Sequence, residues 1–110
     1  MVSVEINLAN ISDWPSFHRV FKEAMGFPDF YGDNLNAWSD CMLDLSRPNT
    51  VGMTKVVVPE GEDLLLVLSN SIKFRSEHSD IFTVLFDTIA SLNCEKNAVE
   101  GASRLLILMQ

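Results

Sequence analysis

Basic residues are scarce: eight Lys and Arg stand against fifteen Asp and Glu, a net charge of −7. Binding nucleic acid by neutralising phosphates needs a basic patch, so direct nucleic-acid binding is not expected and a basic protein surface is the natural complement. Cysteine is scarce too. Cys41 and Cys94 are the only two, without a Cys-x-x-Cys, and the two histidines, His18 and His78, lie sixty residues apart. A zinc site has little support, and reduced thiols of a cytoplasmic chain are expected. The five glycines are scattered and form no phosphate-cradling pattern. No purely apolar run exceeds five residues (Leu64–Leu68 and Leu105–Met109), where a membrane span needs about 20. The first residues show no secretory signal. No cofactor, metal or membrane is expected, and the expected address is the cytoplasm.

What the chain does have is apolar content. Of 110 residues, 47% are hydrophobic and 21% charged, which suits one domain over residues 1–110 with its own core. Residues 2–8 alternate as a strand with one wet face. Ser12 or Asp13 caps a first helix, with Pro15 just inside it and Gly26 closing it. Phe17, Val20, Phe21, Ala24 and Met25 form its apolar stripe. A second helix is expected over Asp33–Leu45, followed by loop residues from Ser46 to Gly52. Lys55–Val58 could turn back through Pro59-Glu60-Gly61 as a short strand antiparallel to Leu64–Leu68. Leu64–Leu68 itself reads as a central parallel strand covered on both faces. Residues 70–78 look polar and irregular, with room for one helical turn. A third long helix starts at Ser79 or Asp80 with Phe82, Leu85, Phe86, Ile89 and Leu92 inward. Asn93–Gly101 reads as loop and Leu105–Met109 as the last strand. This order predicts an α/β domain with parallel strands joined by helical crossovers.

The second helix is the informative segment. At about 100° per residue, Leu35, Trp38, Met42 and Leu45 share one arc. Asp33, Asn36, Asp40 and Asp44 share the opposite one. Acid at Asp33 suits a helix N-terminus. Asp40 and Asp44 do not: they carry like charge four residues apart, at a cost of about 0.2–0.5 kcal/mol, and Asp44 faces the negative end of the helix dipole. The plain reading is a solvated face. The sharper one is an acidic recognition stripe bordered by Phe30 and Tyr31, docking on a cleft lined by Lys, Arg or His.

The run Phe-Pro-Asp-Phe-Tyr-Gly-Asp-Asn-Leu-Asn-Ala-Trp-Ser-Asp-Cys-Met (27–42) resembles the barstar family of ribonuclease inhibitors. Its Tyr-Gly-x-Asn-Leu-x-Ala-x-x-Asp-Cys core is matched by Tyr31, Gly32, Asn34, Leu35, Ala37, Asp40 and Cys41. The resemblance implies a barstar-like fold, a small three-stranded parallel sheet flanked by helices. It also implies a proteinaceous inhibitor, of the kind that acts as an immunity protein against a basic ribonuclease or nuclease toxin, and not an enzyme. In that family the aspartate matched by Asp40 enters the phosphate pocket of the nuclease. A carboxylate can do so because it offers oxygens to the same guanidinium fork as a phosphate. Other interface positions depart from the family. Its second helix-two carboxylate falls at Asn36, its tryptophan beside Asp40 at Ser39, and its first interface tyrosine at Phe30. The glutamate of its later helix falls near Thr88, with Asp87 beside it. These departures keep open an alternative, a non-inhibitory interaction or regulatory module of the same fold with a changed partner. A small hydrolase using Asp40 or Asp33 with a histidine has no local Ser or Cys arrangement to support it.

Among the remaining residues, Trp38 is expected in the core and Trp14 as packing at a helix start. His18, offset from the apolar stripe, is expected to be exposed, and His78 to lie in a loop. Cys41 reads as a small semi-buried residue and the five methionines as core filler.

Overall fold

Parallel strands need long crossovers, and the spacing of the three apolar strand segments provides them. The computed structural model describes residues 1–43, 45, 54–97 and 103–110. Its elements are β1 (Val2–Asn7), a short 3-10 turn (Leu8–Asn10), α1 (Trp14–Met25), α2 (Leu35–Leu43), β2 (Leu64–Ser69), α3 (Ser71–Glu77), α4 (Ser79–Asn97) and β3 (Leu105–Met109). The strands form one parallel sheet in the order β1-β2-β3, with Val2 opposite Leu64 and Leu64 opposite Leu105. The fold is α/β and barstar-like.

Strand alternation sorts the side chains. Val2, Val4 and Ile6, Leu64, Leu66 and Leu68, and Leu105 and Ile107 share the inner face, and the three β2 leucines are 0% exposed. Onto this face pack Phe17, Phe21 and Met25 of α1, Trp38, Cys41 and Met42 of α2, Phe74 of α3, and Ile81, Leu85, Ile89 and Leu92 of α4. The expectation that β2 is covered on both sides fails. Its neighbour β1 presents the exposed Ser3, Glu5 and Asn7 to the outer face, and a helix laid there would strand those polar groups. Leu65 and Val67 are therefore half-buried, and Leu106 and Leu108 exposed.

Helix α1 starts and stops as its sequence dictates. The Asp13 carboxylate accepts from the Ser16 N–H at 2.8 Å, and the Ser16 hydroxyl accepts from the Asp13 N–H at 3.0 Å, a reciprocal capping box. Gly26 ends the helix at φ +69°, a conformation that favours glycine. Its carbonyl accepts from the Lys55 N–H at 3.0 Å. A Cβ on Gly26 would fall 2.5 Å from the Lys55 Cβ, so Gly26→Ala meets both strain and clash. We expect it to cost about 1–2 kcal/mol or more, read as a lower urea midpoint at unchanged slope. An unchanged midpoint would contradict this packing.

The segment 54–58 does not form the hairpin strand. Its N–H groups bond elsewhere: Lys55 to Gly26, Val56 to Met25 and Val58 to Leu45, so it runs across the ends of α1 and α2 instead of along β2. Residues 71–77, expected to be irregular with at most one helical turn, form a longer helix because Phe74 has a core to enter (3% exposed) and the Ser71 hydroxyl donates to the Gln110 carbonyl at 2.8 Å. Helix α4 continues past its expected end at Leu92. The polar residues that read as loop have partners on β3: the Asn93 amide donates to the Leu105 carbonyl and accepts from the Leu105 N–H, both at 2.9 Å, and the buried Lys96 donates to the Ser103 carbonyl at 2.6 Å. On the same helix Ile81 is buried, while Phe82 and Phe86 are half-buried with ring centroids 4.4 Å apart. The expected loop 46–52 and residues 98–101 lie outside the described residues.

Candidate partner-binding surface

Helix α2 begins two residues later than its periodicity suggests, because of what precedes it. Asp33 sits at φ +49°, where Asp is among the better-tolerated residues. Asn34 then caps the helix: its side-chain oxygen accepts from the Ala37 N–H at 2.8 Å while its amide donates to the Gly32 carbonyl at 3.1 Å. Inward, Trp38 and Met42 are 0% exposed, Cys41 is buried, and Leu45 is buried beyond the helix end. The inner stripe is as wide as the helix can turn toward the sheet, so Asn36 and Asp40 are left exposed and Ser39 half-buried on the other side. Asp44 lies outside the described residues.

The Asp40 carboxylate forms no hydrogen bond or ion pair with another described residue. It points into solvent from the middle of a helix anchored by the largest side chain in the core. A carboxylate so placed is hydrated and has no cation beside it among the described residues, so burying it favourably calls for a cation on the surface that covers it. Asp33, also exposed, adds to the same field. Asp87 is exposed and Thr88 half-buried on α4, which packs beside α2, and the Thr88 hydroxyl is engaged with the Val84 carbonyl at 2.7 Å.

The aromatic loop divides its two rings. Phe30 is 76% exposed, an apolar knob standing clear of the described residues. Tyr31 is 7% exposed, its ring 4.7 Å from that of Phe27 and its hydroxyl 2.5 Å from Nδ1 of His18. Against the expectation of exposure, His18 is buried, at 4%. It reaches from α1 to hold the loop that carries Phe30 and Asp33. Its place among Trp14, Phe17 and Tyr31 pushes its pKa below the ordinary histidine value of 6.5, chiefly by burial, with Asp33 opposing. Burial likewise raises the Tyr31 phenol above its usual range, with Cys41 and Asp33 adding to it.

Because His18 is a worse base when folded, the unfolded chain binds the extra proton as pH falls below about 6.5. The contribution of His18 to stability is full above that pH and is lost as pH drops through it. We expect urea midpoints to decline from about pH 7 to pH 5, and the decline to be shallower in His18→Gln. Identical slopes in the two proteins would show that His18 is not the titrating group.

Among the described residues, no three His, Cys, Asp or Glu side chains converge as a metal site, and no helix is long and apolar enough to cross a membrane. Residues 1–105 match the family described as Barstar (barnase inhibitor). No curated protein gives a significant match to the chain.

Proposed function

The chain belongs to the barstar family, and on that footing we propose that it inhibits a basic ribonuclease by laying the exposed face of α2 across the active site of the enzyme. The observation that carries this reading is Asp40: an exposed carboxylate at the centre of a rigid helix, with no cation of its own among the described residues. A nuclease cleft is built to hold a phosphate between Arg, Lys and His groups. Asp40 offers that cleft two oxygens at fixed positions, and a guanidinium can grip them as a fork.

The other residues take graded parts in the proposal. Phe30 supplies an apolar contact at the rim, and Tyr31 fixes the loop beneath it through His18. Asn36 can donate and accept one turn before Asp40 but adds no charge. Ser39 leaves room where the family has a tryptophan, so the target presents a fuller surface there than the familiar one. Asp33, Asp87 and Thr88 are assigned to the border of the face, and the two carboxylates raise the association rate more than the affinity; Asp44, expected there from its spacing, lies outside the described residues. The reading involves no chemistry by the inhibitor itself. Its natural setting is the compartment where the nuclease is made, as an immunity protein protecting the cell from its own toxin.

The test is titration into small basic ribonucleases of the barnase type, and into the product of any neighbouring nuclease gene, with RNA cleavage as readout. Activity should fall linearly to a one-to-one end point, and the association rate should drop at least about tenfold as salt rises from low to high ionic strength. The changed neighbours of Asp40, Asn36 and Ser39, favour the second reading, a module with another partner. That reading gains if no ribonuclease is inhibited while a non-nuclease protein binds.

A further inference from the structure

The sheet has a second side that the helices leave bare. On it the cross-strand neighbours Leu65 and Leu106, and Val67 and Leu108, form an apolar square. Leu106 and Leu108 are 37% and 45% exposed. At the corner of the square, where β2 and β3 begin, Arg104 lies against Asp63: its Nε is 3.8 Å from the carboxylate, which also accepts from the Arg104 N–H at 3.0 Å. Along β1 the same face is polar, with Ser3, Glu5 and Asn7 exposed.

From this pattern we infer that the outer face of β2 and β3 is a self-association surface, and that its occupant is a second copy of this chain. The pattern is its own complement. A two-fold axis parallel to the strands, midway between β2 and β3, sets Leu65 over the partner copy's Leu106 and Val67 over the partner copy's Leu108. The same axis brings Arg104 within side-chain reach of the partner copy's Asp63, and the reverse. Sheets pack face to face with a rotation of roughly 30°, small enough to keep the central apolar pairs in contact. A lipid or nucleic-acid occupant would need free cations on this face, and its arginine is already ion-paired with Asp63. Growth of the sheet through the β3 edge is disfavoured as the route, because the Asn93 amide already occupies both backbone groups of Leu105.

This inference does not rest on the inhibitor reading. Helix α2 lies on the opposite side of the sheet, so a pair joined in this way leaves both Asp40 carboxylates open. Four apolar side chains a copy make a small core beside the roughly 20–30 residues a side of a standard interface, so the association is weak.

Sedimentation velocity of the whole chain under reducing conditions, from about 1 μM to 1 mM, tests it. The weight-average coefficient should climb from monomer to dimer across that range. Leu106→Lys and Leu108→Lys should each raise the midpoint at least tenfold with little change in thermal melting. Arg104→Glu, which sets carboxylate against carboxylate, should raise it several-fold. A chain that stays monomeric at 1 mM overturns the inference. So does a dimer whose midpoint neither lysine variant moves, since that dimer uses another face.

Discussion

Asp40→Ala is expected to weaken nuclease binding more than any other single change in α2, by about 4–8 kcal/mol, or a thousandfold and upward in dissociation constant. That range is the one known for the strongest interfacial hot spots, and its upper end is the value for barstar's own aspartate, which Asp40 resembles in its motif. The physical reason is asymmetric. In the proposed complex, removing the carboxylate forfeits its pairing with the nuclease cations and leaves those cations buried together without a counter-charge. Asp40→Asn, which keeps shape and loses charge, should recover only a small part of the loss. By contrast Asp33→Ala and Asp87→Ala remove rim charges and should cost about 1 kcal/mol or less, mostly in association rate. Asp40 is exposed and unpaired among the described residues, so its removal should leave folding within about 0.5 kcal/mol. Titration calorimetry beside urea unfolding separates the two quantities. An affinity within threefold of the parent would rule out Asp40 as the phosphate mimic.

The second large effect concerns stability. Trp38 is 0% exposed, with its ring 5.5 Å from Phe21 and 6.1 Å from Phe17. Trp38→Ala opens a void between α1, α2 and the sheet and should cost about 3–5 kcal/mol, a large share of the 5–15 kcal/mol typical of a whole domain. The melting temperature should fall by at least about 10 °C. Trp38→Phe should cost distinctly less. The indole N–H is buried without a hydrogen-bond partner among the described residues, and deleting it relieves a penalty of about 1–3 kcal/mol that offsets part of the smaller void. Circular dichroism follows both variants. A Trp38→Phe protein as unstable as Trp38→Ala would mean that the orphaned N–H carries no cost.

Elements whose pattern is local are legible in the residues themselves. The alternation of Val2, Val4 and Ile6, the apolar blocks 64–68 and 105–109, and the Asp13, Pro15 and Gly26 punctuation of α1 each state their conformation within a few residues. What escapes such reading depends on partners far along the chain. Asn93 and Lys96 read as loop because their polarity is visible, whereas the β3 carbonyls that satisfy them are not. His18 is the instructive miss for the site. It stands four residues after Trp14 and seven before Met25, which places it at the margin of the apolar stripe, but a histidine there is buried only if a hydroxyl waits for it. That hydroxyl belongs to Tyr31, in a loop whose path no periodicity fixes. The hairpin reading of 54–58 fails for a related reason: the turn residues at Pro59 to Gly61 are real, while the backbone partners of the segment lie at the ends of two helices. On the candidate surface, the division of α2 into an inner and an outer stripe follows from spacing alone. That Phe30 stands free while its neighbour Tyr31 is sealed does not.

The sheet register has a consequence for how the molecule comes into being. Val2 pairs opposite Leu64, and Leu64 opposite Leu105, so the earliest strand to leave the ribosome waits for a mate sixty-two positions later, and the middle strand waits for the last. Closing such distant pairings is slow, and at synthesis speeds of roughly 5–20 residues per second the apolar first strand stays unsatisfied for several seconds. A nascent copy can assemble no part of its sheet until well over half of its length has emerged, and β3 must arrive before the layer is complete. On the proposed reading, only copies translated past β3 could hold a nuclease, so any protection would rest on a stock of molecules made beforehand.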